Sequence, residues 1–408
     1  MMNISSVSKI REHFPALKQK VNGKDLVYLD NAATAHKPIG VIELLNEMNS
    51  RINGNIHRAV HELSSRATDL YESARDDIRE FINAQEREEV IFTSGTTASI
   101  NLVANSFSQA FIKRGDSILI SGAEHHSNIV PWQMACERIG ATLKIIPVDN
   151  EGNWEMKTLD SLLDSTVKLI AVAHISNILG ITNPVEELIS KAHSLGIPVL
   201  LDGAQGIVHQ KVDVQKLDCD FYAFSGHKLY GPTGIGVLYA KRKFLDEMPP
   251  WMGGGDMVAT VTFKKTTYAQ PPLKFEAGTP NFIGASGLGE AVRFLSEIDS
   301  TAINDNELQI VEYMNRELEA IEGLRLYGCS KNKIPLFSIS VEGAHPSDMA
   351  MILDKMGIAV RTGQMCSEPL LDRYNVTSLL RASFGIYNTL EEASYFVASL
   401  KKVISMLR

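Results

Sequence analysis

LIAVAHISNILGITNPVEELISKAHSLGIPVLLDGAQG, residues 169–206, reads as strand, loop, helix, strand and polar turn in succession. Leu169–Ala173 and Val199–Leu201 are short, continuously apolar runs, the pattern of strands buried on both faces. Between them Val185–Leu195 has helix length and follows Asn183-Pro184, a good helix start. Strands alternating with helices predict an α/β fold with a mostly parallel sheet covered on both sides.

The same texture extends outward from this unit. Apolar runs at Glu89–Phe92, Ser117–Ile120, Leu143–Val148, Phe221–Phe224 and Gly236–Tyr239 bring the candidate strands to seven. Polar and Gly-rich residues cluster just after the strands, where open α/β sheets bind ligands. The Pro- and Gly-rich stretch Pro249–Pro280 is expected to be irregular. After about residue 285, helical stretches Glu307–Ile321, Ser347–Met356 and Leu390–Leu407 flank strand candidates Leu336–Val341 and Ala359–Arg361. This predicts a smaller α+β domain, with the boundary near 282.

The 408 residues suit two or three domains at roughly 100–200 residues each. With 40 Lys+Arg and 48 Asp+Glu, the formal charge is 40 − 48 = −8. That balance, without any run of five basic residues, argues against nucleic acid as a partner. No stretch approaches the ~18–20 apolar residues of a membrane span, so no membrane partner is expected. The first residues lack the apolar core of a secretory signal. Cys136, Cys219, Cys329 and Cys366 are far apart, with no zinc-type spacing, so no metal site is expected. A reducing cytoplasm is the expected compartment.

Four groups of residues carry candidate chemistry. In VIFTSGTTASIN (90–101) a strand runs through Ser94-Gly95-Thr96-Thr97 into a helix, an arrangement that suits a phosphate or a plain helix cap. Neither a Walker loop nor a GxGxxG fingerprint occurs, which disfavours a nucleotide-binding enzyme. Asp202 ends a buried run and needs a partner, either a helix N-terminus or a protonated ring nitrogen. Lys228, in FSGHKLYGPTGIG (224–236), is held between apolar strands beside Ser225 and His227, where a lowered pKa would make it nucleophilic. A phosphate cradle, an Asp at a strand end and a downstream Lys in a tight loop together are what pyridoxal phosphate asks for. His125 follows a strand in the ligand-facing position and can stack on a heteroaromatic ring; His126 reads as a satisfied loop histidine. Finally, VRTGQMCSEP (360–369) puts Cys366 in an exposed loop after a strand, with Arg361 nearby to favour a thiolate. Arg381 could clamp a carboxylate.

With these stretches, the chain resembles the pyridoxal-phosphate-dependent cysteine desulfurases of the class V aminotransferase fold, in the group II (SUF-type, selenocysteine lyase-like) branch. Matching segments include YLDNAATAHKP (28–38), NIHRAVHELS (55–64), SGTTASINLVANS (94–106), EHHSNIVPWQ (124–133), HISNILGITNP (174–184), DGAQG (202–206), DCDFYAFSGHKLYGPTGIGVLY (218–239), FEAGTPN (275–281) and RTGQMC (361–366). The resemblance implies the fold type I of pyridoxal-phosphate transferases. A large domain with a seven-stranded sheet would span 30–282. The small domain would be formed by 1–29 and 283–408 and would carry the Cys loop.

By resemblance Lys228 carries the cofactor covalently, Asp202 pairs with its ring nitrogen, Gln205 bonds the ring hydroxyl and His125 stacks on the ring. Thr97, Ser225 and His227 bind the phosphate, with Thr96 in the same turn and Thr279 reaching in from a second subunit of a homodimer. Arg381 and Asn177 bind the substrate carboxylate. His57, Arg58 and Arg361 line the site, and Cys366 takes the sulfur. One departure stands out. The family's usual His before the catalytic Cys is absent, Gln364 and Met365 occupying those positions, and Ser367-Glu368 puts an acid beside the nucleophile.

The implied reaction gives L-alanine from L-cysteine and a persulfide on Cys366, delivered to a sulfur-acceptor protein, with iron–sulfur cluster assembly as the leading destination. Competing readings are a selenocysteine lyase acting on L-selenocysteine, another C–S lyase or a transaminase. A reading from another class is a non-catalytic sulfur-relay scaffold.

Overall fold

The computed structural model describes residues 4, 6–57 and 60–408. The seven apolar runs become one sheet: β1 (Val90–Thr93), β2 (Ser117–Ser121), β3 (Thr142–Ile146), β4 (Val167–Ala173), β5 (Val199–Asp202), β6 (Phe221–Ser225) and β7 (Gly236–Ala240). Their spatial order is β1-β7-β6-β5-β4-β2-β3. β7 runs antiparallel to β1 and β6, and the remaining pairings are parallel. The sheet is therefore mostly parallel, as the alternating pattern predicts.

Alternate residues of the central strands divide between two cores. Ile170 and Val172 of β4 join Leu201 and Phe224 on one face. Leu169 and Ala171 join Leu200 and Ala223 on the other. Helices seal both faces, which is why these strands read as unbroken apolar runs. The helix between β4 and β5 spans Val185–Ser194 and opens after Pro184.

The small domain holds a four-stranded antiparallel sheet of β8 (Leu324–Tyr327), β9 (Leu336–Val341), β10 (Arg361–Gly363) and β11 (Leu379–Ser383), ordered β8-β9-β11-β10. Helices Ser300–Glu319, Pro346–Lys355 and Leu390–Leu407 bury Met314, Leu353 and Leu400 against it. The last helix starts at a capping box, with Thr389 Oγ1 accepting from Glu392 N and the Glu392 carboxylate accepting from Thr389 N. Val27–Tyr28 pairs in parallel with Ile358–Ala359, which ties the N-terminal segment to this domain.

Two local expectations change. The strand expected at Ala359–Arg361 breaks at Val360, because Ile358–Ala359 and Arg361–Gly363 pair with different partners. The stretch 249–280 is not wholly irregular: Val258–Val261 and Thr266–Tyr268 form an antiparallel hairpin, built on β-branched residues. Helix Phe282–Ser296, expected in the small domain, gives Ala285, Leu288 and Val292 to the core that packs on the seven-stranded sheet. Among the described residues no helix is long and apolar enough to cross a membrane.

Candidate active site

The C-terminal ends of the parallel strands open into one cavity of about 270 Å³. Asp202 is the last residue of β5 and Ser225 the last of β6. His125 follows β2, and Asn177 follows β4. Thr96 begins the helix Thr96–Phe111 after β1. The turn at Gly95 has φ +147°, and a Cβ there would stand 3.2 Å from the Ser225 hydroxyl. That hydroxyl accepts from Thr96 N at 2.8 Å and lies 2.7 Å from Thr96 Oγ1. The helix thus presents its positive end and two threonines to the cavity. A second glycine enables this approach: a Cβ on Gly236 would come within 2.5 Å of Gly95 Cα.

Asp202 is 6% exposed and its carboxylate accepts from Ala204 N at 3.0 Å. Burial pushes its pKa up, against the pull of Lys228. Gln205 is buried and donates to Ala32 O at 2.9 Å. Beneath them His174 Nδ1 meets the Tyr222 hydroxyl at 3.0 Å. Burial lowers the pKa of His174 to about 4.

Lys228 lies in the tight connection from β6 to β7, closed by Gly226 N to Ile235 O at 2.9 Å and Gly231 N to Gly226 O at 2.9 Å. Burial brings its amine down to about 8, with Asp202 opposing the shift and Arg381 adding to it. His125 and His227 are lowered to about 4, chiefly by burial and then by Lys228. Both rings are therefore neutral at pH 7. His125 Nδ1 accepts from Ser127 N at 3.1 Å, so its proton sits on Nε2.

Glu124, next to His125, is fully enclosed. It accepts from Asn128 Nδ2 at 2.7 Å, Ala173 N at 3.0 Å and the Ser121 hydroxyl. Burial outweighs these bonds and raises its pKa to about 7.

The small domain closes the cavity with two arginines and a thiol. Arg361 grips Asp30 through Nε at 3.0 Å and Nη2 at 3.0 Å. Arg381, 3% exposed, donates to Asn177 O at 2.8 Å and reaches the same Asp30 at 3.4 Å. Its buried Nε has no partner among the described residues. Two guanidinium groups sharing one carboxylate leave a positive charge for an incoming anion.

Cys366 is exposed and lines the cavity. Met365 (φ +51°) and Cys366 (φ +54°) are both left-handed, a conformation costing about 1–3 kcal/mol per residue in such sites. The bend is held by Asn177 Nδ2 to Met365 O at 2.9 Å, His126 N to Cys366 O at 2.8 Å and Ser367 N to Gln364 O at 3.0 Å.

The cavity thus brings together Thr96, Thr97, His125, Asn177, Asp202, Gln205, Ser225, His227, Lys228, Arg361, Cys366 and Arg381 of the residues expected from sequence. Thr279 is exposed and does not line it. The loop carrying Thr279 is anchored by Glu276, whose buried carboxylate pairs with Arg75 at 2.7 and 2.9 Å and accepts from the Tyr71 hydroxyl and Phe92 N. His57 is also outside the cavity; its Nε2 is 3.1 Å from the Glu72 carboxylate. Arg58 lies outside the described residues.

Sequence reasoning assigned no role to Asp30, Glu124, Ser127 or His174. All four lie within, or directly beside, segments already matched to the family, which was the available signal. Met365 lines the cavity and packs into the large-domain core.

The aminotransferase class-V family matches residues 27–396. A cysteine desulfurase of Shigella flexneri is 47% identical over 403 residues, covering 98% of this chain and 99% of that protein. The cysteine desulfurase CsdA (S-sulfonic acid) from Escherichia coli superposes with a TM-score of 0.92 at 39% identity, over 100% of both chains. An apo cysteine desulfurase from Thermococcus onnurineus NA1 gives 0.91 at 37% identity, over 97% of this chain and 99% of that one. The fold and site define a class-V aminotransferase, and the chain belongs to the cysteine desulfurases within that family.

Proposed function

We propose that this chain moves sulfur from L-cysteine onto Cys366, leaving L-alanine, with pyridoxal phosphate held in the cavity. The observation that carries the reading is the meeting of Lys228, Asp202, His125, Arg381 and Cys366 around one space.

The residues fit that cofactor. Lys228 offers a buried amine with a lowered pKa. Asp202 is a buried carboxylate needing a cationic partner, which a protonated ring nitrogen provides. Gly95, Thr96, Thr97, Ser225 and His227 form a cradle at a helix N-terminus suited to a phosphate. When bound, pyridoxal phosphate supplies an electron sink for negative charge at the substrate α-carbon.

The chain's residues do the rest. Arg381, which lines the cavity, receives the substrate carboxylate, with Asn177 alongside. Lys228, neutral above about pH 8, takes the α-proton. Asp202 keeps the ring nitrogen protonated, and His125 packs as a neutral, flat imidazole. The Cys366 thiolate attacks the substrate sulfur. A sulfur–sulfur bond forms, the carbon–sulfur bond breaks, the β-carbon keeps the electron pair and takes up the proton lost from the Cys366 thiol, and Lys228 returns its proton to the α-carbon. Cysteine plus the Cys366 thiol become alanine plus a Cys366 persulfide, so the atoms balance.

Further parts of the reading follow from the chemistry. A persulfide on an exposed loop needs a sulfur-acceptor protein, and iron–sulfur cluster assembly is the proposed destination. A homodimer is proposed because Thr279 is exposed and does not line its own cavity. The cytoplasm suits four cysteines that are all free.

The test is L-alanine formed from L-cysteine by the cofactor-loaded protein with a thiol reductant, Cys366→Ala run in parallel. Alanine from the wild type and none from the variant supports the reading. Undiminished turnover in Cys366→Ala overturns it.

A further inference from the structure

Met365 removes the family's imidazole from the position before the nucleophile, yet an imidazole does reach this loop from the other domain. His126 donates its backbone N–H to Cys366 O at 2.8 Å. Its ring Nε2 accepts from Glu368 N at 3.3 Å. The same nitrogen is 3.6 Å from Glu368 Oε2. A single residue of the large domain therefore grips the Cys366 bend at two points, the carbonyl of Cys366 itself and the N–H of Glu368. Expected from sequence as a satisfied loop histidine, it has a larger part in the architecture of the site.

We propose that His126 and Glu368 form a clamp that holds the Cys366 thiol in position for sulfur transfer. Both are positioning residues, and the inference rests on the reading of Cys366 as the residue that takes the sulfur.

Three observations carry the clamp. First, Met365 and Cys366 are consecutive left-handed residues, so the bend does not maintain itself and relaxes unless contacts outside it resist. Second, both His126 contacts fall on the chain directly after the thiol, its N–H on Cys366 O and its ring Nε2 on Glu368 N. Third, the Glu368 carboxylate lies 3.6 Å from the same ring nitrogen, a second attachment between the same two residues. The acid beside the nucleophile and the missing neighbouring imidazole are thus two halves of one local solution.

The experiment uses the full-length, cofactor-loaded protein in a single turnover with L-cysteine. Persulfide on Cys366 is followed by alkylation and mass spectrometry, and substrate engagement by the change in cofactor absorbance. His126→Ala is expected to slow persulfide formation about 10–100-fold, the scale of a 1 Å misplacement, while the absorbance change stays within about twofold. His126→Gln, whose side-chain oxygen can accept from Glu368 N, is expected to recover to within about threefold of wild type. Glu368→Ala, a change at an exposed side chain, is expected to fall between the two, and it carries the test if His126→Ala does not load cofactor. Wild-type persulfide rates in His126→Ala or Glu368→Ala overturn the clamp, as does a His126→Gln protein as slow as His126→Ala. A wild type that turns over cysteine with no persulfide on Cys366 overturns the functional reading and the clamp with it.

Discussion

The large-domain side of the cavity ends in β5 and β6, strands hydrogen-bonded to neighbours on both edges, whereas the small-domain side presents Cys366 on a bend of two left-handed residues. Asp202 and Ser225 are buried and backed by Glu124, His174 and Tyr222. Cys366 is exposed and held by contacts from the other domain. The difference suits the proposed chemistry. Proton transfer and ring binding would need fixed atoms, and strand ends supply them. A thiol proposed to collect sulfur in the cavity and pass it to a partner would need to be exposed, and Cys366 is.

If the floor is the fixed half, its removal must have the largest effect. Lys228→Ala is expected to lower alanine formation at least about 10³-fold, within the range for loss of a positioned acid–base group. In the wild type, cofactor uptake by the apoprotein is expected to rise with pH toward about 8 and level off above it. The Lys228 amine is shifted down to about 8 and must be neutral to react, so stopped-flow absorbance across pH 6–10 checks this. Cys366→Ala, on the adjustable wall, is expected to load cofactor normally and to show no persulfide by mass spectrometry. Arg381→Ala joins the two halves. Loss of a charge-assisted hydrogen bond, about 1.5–3 kcal/mol, is expected to lower kcat/KM by about 10–150-fold, mostly through KM.

Smaller effects sharpen the contrast in stability. Glu124 has a raised pKa of about 7, so its contribution is present below its ordinary carboxyl value and lost as pH rises through 7. Between pH 5 and 8 the wild type is expected to lose on the order of 2–3 kcal/mol relative to Glu124→Gln in urea unfolding. An equal pH dependence in both proteins would show that the floor does not store this burial cost. Thr389→Ala, remote from the cavity in the small domain, is expected to lower stability by about 1 kcal/mol and leave turnover unchanged.

Much of the floor was legible because each functional residue follows an apolar run, and a run buried on both faces announces itself. The direction of β7 was not legible, since Gly236–Ala240 reads the same whichever way it pairs. The hairpin 258–268 escaped because the Gly- and Pro-rich residues on either side of it masked its run of Val, Thr and Tyr. Contacts joining distant segments escaped for a different reason. Arg75 and Glu276 are 201 positions apart, and neither looks unusual alone. Asp30 stood in a recognised motif, but only the fold shows it between two guanidinium groups. Cys366 was readable as an exposed thiol; what restrains it was not, because half of the restraint is His126.

The contact from Glu368 to His126 spans 242 positions, and Val27–Tyr28 waits for Ile358–Ala359 before it has a partner. A polypeptide emerging from the ribosome in order can assemble Lys228 and Asp202 early, since both lie in segments that pair with near neighbours. The thiol is set in place only when nearly all of the described residues have been made. A chain made as far as the end of β7 contains Asp202 and Lys228 but not Cys366, so the residues that would hold a cofactor are made well before the one that would accept sulfur.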